Sequence, residues 1–347
     1  MKRATIKDVA QATGYSITTV SLVINNKPVS IPQATRDNIL RAAEALHYRP
    51  NQLAVSMITK RSKVLGLIIP DNSNEFFADL SKAIERAARH VGYGLIYGNS
   101  ANDSQRDLAY MKMFSDRQVD GIIFAKSAAL MYGDDDKTTA YMRESAIPFI
   151  TVDRNIPGSG VCSVSVDHFQ GGYLATRHLL ELGHRRIGAY TGSDDVVSSN
   201  ERLAGYRAAL AEAGVPYREE FVVEGNYQLG GERRAVTKFL NQRVTAIFSF
   251  NDLMAFGLYR ELRAAHLAVP GDMSIVGFDN VSFGDLVDPP LTTISQPVSE
   301  MGDCVVDTLL QLIDHRVLPA EKRHQLFEPH LVVRGSTAPY QQKDVTP

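Results

Sequence analysis

Cysteine is scarce in this 347-residue chain: Cys162 and Cys304 stand alone, far apart and without CxxC spacing. Such a pair builds neither a disulfide framework nor a zinc site, and it suits a reducing compartment. No apolar run reaches the roughly 18 residues that a membrane span requires. The first 19 residues hold no apolar stretch of the signal-peptide kind, so neither membrane insertion nor export is expected. The motifs GxxxxGKS/T, HExxH and GxSxG are missing. "GYGLIYG", residues 92–98, echoes a dinucleotide loop but precedes a strand instead of following one. Asp134–Asp136 form a carboxylate run with no histidine spaced to join it, which reads as a solvated turn and not a metal site. No nucleophile–base–orienter set is found, so no enzyme, metal or cofactor is expected, and the expected location is the cytoplasm, at the nucleoid.

What is present is an ordinary globular composition, 44% hydrophobic and 22% charged, long enough for two or three units. The net charge of −2 hides an asymmetry. Residues 1–63 carry ten lysines and arginines against three acids, a net of +7, and the remainder carries −9. A basic head on an acidic body implies a polyanion partner for the head alone.

The head reads as three short helices. Thr5 and Asp8 form a capping-box pattern, and Ile6, Val9 and Ala10 share one face. Gly14 can end that helix, and Ser16 can cap the next. Ser30 and Gln33 predict a second capping box with Pro32 in its first turn, followed by a buried stripe of Ile39, Ala43 and Leu46. The middle helix is unusual. Val20, Val23 and Ile24 recur as a core face should, while Thr18, Ser21, Leu22 and Asn25 make an opposite face without charge. A helix that enters the major groove needs short hydroxyl, amide and apolar groups there, since long lysines would bind any phosphate. The competing reading is a three-helix bundle whose second helix packs on the body.

The stretch "TIKDVAQATGYSITTVSLVINN", followed by "VSIPQATRDNILRAAEALHYRPN", resembles the DNA-binding head of the LacI/GalR family of repressors without interruption from Thr5 to Asn51. The resemblance implies that Ile17, Thr18 and Leu22 read bases, and that Ser16, Thr19, Asn25 and Thr35 meet phosphates. Thr5, Ser21, Asn51, Ala54 and Met57 complete the implied DNA-binding set. Many members have polar or basic residues where this chain has Ile17 and Leu22, which points to thymine-methyl contacts. In "YRPNQLAVSMITKRSK", residues 48–63, the segment Gln52–Ile58 is similar to the family's hinge helix, with Met57 in the place of the leucine that wedges into the minor groove. Val55 stands where some members have arginine. Two turns are too short to be stable alone in water, and a plain linker is the competing reading.

From Val64 onward short apolar runs alternate with amphipathic helices: "VLGLIIP", "GLIYGN", "DGIIFA", "PFITVD", "RIGAYTG", "TAIFSF" and "MSIVGFD". This alternation predicts parallel sheets covered on both faces. The runs end in polar clusters, and ligands of open α/β sheets bind beyond the carboxyl ends of the strands. The fold class expected is therefore α/β: an all-α helix-turn-helix head plus a body of two doubly wound parallel-sheet subdomains. The body resembles the effector-binding part of the same family and the periplasmic ribose-binding protein, from Val64 to about Ala338. The domains expected are 1–49 for the head, 50–63 for the hinge, 64–163 with 294–325 and 164–293 with 326–340 for the two subdomains, and 341–347 for the tail.

The same resemblance implies an effector site of Asn74, Phe76, Phe77, Asn102, Lys126, Arg154, Ser198, Tyr227, Asn251, Asp279 and Gln296. Sugars present apolar ring faces and vicinal hydroxyls, which suit aromatic stacking and bidentate polar groups. An Asp–Arg pair that grips hydroxyls in the ribose-binding protein is expected near "FAKSAAL", where Lys126 and Ser127 stand instead, and this counts against ribose. Ser198 and Tyr227 match contacts of purine-binding members, but Val196 occupies the place of their arginine. Each residue also has a structural reading: Phe76 or Phe77 as core, Asp153 and Asp279 as turn caps, Arg154 as an ion pair between subdomains, Gln296 as hinge. The expected partners are palindromic double-stranded operator DNA, a carbohydrate effector and a second copy of the chain, since the tail shows no leucine heptad for tetramers. A corepressor- or phosphocarrier-activated regulator of the same fold is the alternative, and a transport protein conflicts with the basic head.

Overall fold

The computed structural model describes residues 4–25, 28–49, 56, 59–127, 137–156, 158–194 and 196–342. The chain divides into two compact units, Met1–Lys63 and Val64–Pro347.

The first unit contains α1 (Ile6–Thr13), α2 (Ile17–Ile24) and α3 (Gln33–Ala45). At α1, Asp8 accepts from both the backbone N–H and the hydroxyl of Thr5, at 2.7 and 2.8 Å. Gly14 ends the helix with φ 74°. Val9, Val20, Val23, Ile39 and Ala43 are buried together and fix how the helices cross. Two local expectations fail. Pro32 is the N-cap of α3 and not a first-turn residue, so Ser30 makes no cap; proline's fixed φ serves the entry by itself. Leu46 lies past the end of α3 and is 37% exposed, because the stripe stops with the helix.

The second unit holds two six-stranded sheets. The first is ordered β11-β5-β4-β3-β1-β2, from β1 (Val64–Ile69), β2 (Gly94–Asn99), β3 (Gly121–Phe124), β4 (Phe149–Val152), β5 (Cys162–Val166) and β11 (His324–Phe327). The second is ordered β12-β10-β9-β8-β6-β7, from β6 (Ile187–Thr191), β7 (Val222–Glu224), β8 (Ala246–Ser249), β9 (Ser274–Asp279), β10 (Thr292–Ser295) and β12 (His330–Val332). All pairings are parallel except β12 against β10. β5, β7, β10, β11 and β12 are strands that apolar runs do not mark: four have only three or four residues, and β5 alternates Ser with Val and Cys.

The helices that position the site are α4 (Glu75–His90), α5 (Ser104–Asp116), α6 (Lys137–Glu144), α7 (His168–Glu181), α8 (Val197–Glu212), α9 (Glu232–Asn241), α10 (Asp252–Ala264) and α11 (Val298–Ile313). The chain crosses between sheets three times, after β5, after β10 and between β11 and β12. Each crossing follows a strand that runs a few residues past the boundaries 163, 293 and 325 expected from sequence. Near the C-terminus Ser336 is fully buried and donates to the Ile275 carbonyl at 2.6 Å, which ties the chain end to the second sheet. Among the described residues no helix is long and apolar enough to cross a membrane.

Candidate functional site

In the head, α2 carries Ile17 and Thr18 exposed, Ser21 and Leu22 half-buried and Asn25 exposed at its end. Ser16 caps the helix by accepting from the Thr19 N–H at 3.1 Å, and the two hydroxyls bond each other at 2.9 Å. Asn25 donates to the Ser21 carbonyl at 2.9 Å and to its hydroxyl at 3.2 Å. The polar groups are thus ordered by their neighbours before any partner arrives, which lowers the entropy lost on contact. Thr35 is half-buried with the Tyr15 hydroxyl 3.5 Å away, and Thr5 sits exposed at the start of α1. Ile17 is 45% exposed although large and apolar. Asn51, Ala54, Val55 and Met57 lie outside the described residues.

In the body, the carboxyl ends of both sheets converge on a cavity of about 20 Å³, room for little more than one water. Asn74, Phe76, Phe77, Asp153 and Arg154 wall it from the first sheet, and Ser198, Arg202, Tyr227 and Asp279 from the second. Hydrogen bonds also tie the lobes together outside it: Ser282 donates to Glu75 at 2.5 Å, and Gln228 donates to Asp71 at 3.2 Å.

Local chemistry places each wall. Asn74 caps α4 by accepting from the Phe76 N–H at 3.1 Å. That turn directs both phenyl rings inward, edge to face at 5.1 Å. Both rings also belong to the core of the first lobe, so the core reading and the wall reading hold together. Arg154 lies over Phe77 at 5.5 Å and donates from Nη1 to the Lys126 carbonyl at 2.8 Å and to Asn102 at 3.2 Å.

In the second lobe α7 and α8 touch backbone to backbone. A Cβ on Gly172 would sit 2.2 Å from the Arg202 carbonyl oxygen, and one on Gly205 would sit 2.0 Å from that of Phe169. Only glycines permit this approach, and it brings Arg202 against His168. Arg202 stacks 3.5 Å over Phe278, donates to His168 Nδ1 at 3.3 Å and donates to the Phe250 carbonyl. Asn251 holds the Tyr227 carbonyl at 3.2 Å and caps α10 through the Met254 N–H at 2.9 Å. Gln296 donates to Asp279 at 2.7 Å.

The electrostatics are those of charges held out of water. Burial pushes the Asp153 carboxyl up, against the pull of Arg154 and Arg202. Burial raises Asp279 well above the usual carboxylate range, while it lowers Arg154. The nearest Arg–Asp approaches are long, 3.9 Å for Arg154–Asp153 and 4.0 Å for Arg202–Asp279. Among the described residues Asp153 Oδ1, Arg154 Nε and Gln296 Oε1 are buried without a hydrogen-bond partner, an arrangement that costs free energy until something supplies one. Asn102, Asp153, Tyr227 and Asp279 all hold left-handed backbone, with φ between 58° and 114°. Strain of that kind concentrates at binding loops.

Of the eleven effector-site residues expected from sequence, seven line the cavity: Asn74, Phe76, Phe77, Arg154, Ser198, Tyr227 and Asp279. Asn102, Asn251 and Gln296 stand behind them, bonded to Arg154, Tyr227 and Asp279. Lys126 is buried and gives its carbonyl to Arg154, but it is not among the lining residues. Lys126 and Ser127 keep their place in "FAKSAAL", and an adjacent Asp–Arg pair, Asp153 and Arg154, lies on the loop after β4. Among the described residues Arg154 pairs with its own neighbour Asp153 and with no acid of the other lobe. Asp153 and Arg202 are the lining residues that sequence reasoning missed. Arg202 lies four residues after Ser198 on one helix, a spacing that puts both on one face. Asp134–Asp136 lie outside the described residues.

Comparison with known proteins agrees with both halves. Residues 5–51 match the model of bacterial regulatory proteins of the lacI family, and residues 62–327 match that of periplasmic binding proteins and the sugar-binding domain of the LacI family. The chain is 34% identical to the HTH-type transcriptional repressor PurR of Vibrio parahaemolyticus, over 96% of this chain and 98% of that one. It is 28% identical to the lac repressor dimer bound to operator and the anti-inducer ONPF, with TM-score 0.83, covering 97% of this chain and 100% of that one. A LacI-family regulator from Enterococcus faecium with bound ribose is 30% identical, with TM-score 0.71, covering 80% of this chain and 100% of that one.

Proposed function

This chain belongs to the LacI family of bacterial regulatory proteins, and we propose that its effector is a pentose, D-ribose first, bound in the cleft between the two sheets. It is a DNA-binding transcriptional repressor with a small-molecule-binding body. The observation that carries the ribose reading is the pairing of guanidinium and carboxylate across the cleft: Asp153 with Arg154 from one lobe, Asp279 with Arg202 from the other, beside two phenyl rings. Carboxylates and guanidiniums grip vicinal hydroxyls in pairs, and the ring faces cover the sugar's C–H surface. The neighbour with bound ribose supports the same choice.

Two heads on a homodimer would meet two half-sites of a palindrome, with Ile17, Thr18 and Leu22 at the base edges and phosphate neutralisation supplying much of the affinity. Lobes gripping a sugar would shift the body and loosen the hinge segment on DNA. Linkage then makes the coupling reciprocal, so operator DNA weakens sugar binding by the same factor, typically about 5- to 150-fold.

A purine base is the second reading, favoured by the similarity to PurR and by Ser198 and Tyr227 in the cavity wall. Val196 in place of a base-contacting arginine weighs against it. The deciding experiment selects operator DNA from a random pool and titrates pentoses, hexoses, hypoxanthine and guanine into the complex at fixed salt. Release of a palindrome by ribose supports the proposal. Release or strengthening by a purine replaces it with the second reading. Sugar affinity that is identical with and without operator rejects the allosteric coupling.

A further inference from the structure

His168 is buried at the first position of α7, where the chain has just crossed from the first sheet to the second. Its Nδ1 accepts from Arg202 Nε and lies at the same 3.3 Å from Arg202 Nη2. An Nδ1 that accepts must be unprotonated, so a neutral ring carries its proton on Nε2. Burial and Arg202 hold this imidazole well below its ordinary pKa, which keeps it neutral. The Nε2 side faces Asp153, whose Oδ1 is 3.6 Å away. Among the described residues Asp153 Oδ1 is buried without a hydrogen-bond partner, and Nε2 makes no close hydrogen bond, with the Asp153 backbone carbonyl also facing the ring. A gap of that length is too wide for a hydrogen bond and too narrow to admit a water. Phe278, at 5.9 Å between centroids, stands beside both His168 and Arg202.

We infer that His168 is a positioning residue that holds Arg202 of one lobe and Asp153 of the other in the geometry that grips the effector. The imidazole contacts no ligand itself. It spends an acceptor on Arg202, which points that guanidinium into the cleft, and it offers a donor to Asp153 across the crossing. With effector bound, Nε2 donates to Asp153 Oδ1 and leaves Asp153 Oδ2 for the ligand. A sugar held on one lobe alone would lack this link. The inference rests on the cleft being the effector site.

The test uses the full-length protein and D-ribose, with affinity measured by titration calorimetry and operator affinity by fluorescence anisotropy. His168→Ala should weaken ribose at least tenfold while operator affinity without sugar stays within twofold. His168→Asn, whose Oδ1 reaches the place of Nδ1 but not of Nε2, should recover the share that passes through Arg202, about threefold. In an Asp153→Ala background the further change His168→Ala should cost threefold or less, because much of its effect passes through Asp153. Three results overturn the inference: ribose affinity of His168→Ala within twofold of wild type, no recovery with Asn, or losses that multiply fully in the double variant. Failure of the wild-type protein to bind ribose would instead overturn the assignment of the effector, and this inference with it.

Discussion

Gln296 donates its side-chain amide to Asp279 at 2.7 Å, joining the crossing after β10 to the floor of the cleft. One carboxylate oxygen of Asp279 is thereby fixed, and Arg202 stays 4.0 Å away. The carboxylate is poised for a ligand and not spent on a tight ion pair.

Asp279→Asn keeps the shape and an acceptor for Gln296 but removes the charge. Charge-assisted bonds are worth about 1.5–3 kcal/mol, so effector affinity should fall roughly tenfold to a hundredfold. Operator affinity should remain within about twofold, since the head is untouched. An Asn variant that responds to effector like wild type removes Asp279 from the site.

Gly192 leaves no room for a side chain. A Cβ there would lie 2.0 Å from the ring of Tyr227, whose backbone is itself left-handed at φ 64°. Gly192→Ala should therefore push the ring aside and weaken effector binding by about tenfold or more, with overpacking costing about 1–3 kcal/mol. Calorimetry together with a thermal melt separates the two losses. Unchanged affinity would mean that Tyr227 sets no wall of the bound state.

Val20 and Leu22 lie on opposite sides of α2, one fully buried and one half-buried. Val20→Ala should destabilise the head and weaken binding to every DNA sequence alike. Leu22→Ala should leave head stability nearly unchanged and alter which bases are preferred, by about 1–3 kcal/mol at the position read. Selection from a random pool gives both profiles. Identical preferences for Leu22→Ala and wild type would refute its reading role.

Asp252 supplies a pH dependence of stability. It accepts from Thr293 at 2.6 Å and from the Val281 N–H at 3.0 Å, and burial pushes its carboxyl up from 3.8 to about 7. A raised folded-state value means that the folded protein holds a proton the unfolded chain has released. The contribution is then fully present below about pH 4 and is lost as pH rises through about 7. Asp252→Asn, neutral throughout, should flatten the fall in melting temperature between about pH 4 and pH 7. A fall equally steep in the variant would exclude Asp252 as its source.

The head and the alternating body were legible because their signals are local. The Thr5–Asp8 cap, the Gly14 stop and the stripe of Val20 and Val23 depend on residues a few positions apart, and local chemistry fixes them. The long apolar strands declare themselves for the same reason, since strands buried on both faces must be apolar throughout. Short or mixed strands such as β5 and β12 did not, because they exist only by pairing with neighbours already in place. The sequence by itself thus determined the family, the helix-turn-helix head, the two parallel sheets and most of the polar loops at their ends.

Tertiary structure alone decided how those loops combine. Asp153 and Arg202 are separated along the chain, and their meeting at one cavity depends on the three crossings and on glycines that let α7 and α8 touch. Lys126 matched a site position by resemblance, and its carbonyl accepts from Arg154 behind the cleft wall. His168 carries no motif at all, and its role follows from two distances, to Arg202 and to Asp153. Motifs record what a residue is, whereas the grip on a ligand depends on where burial and packing aim its last polar atoms.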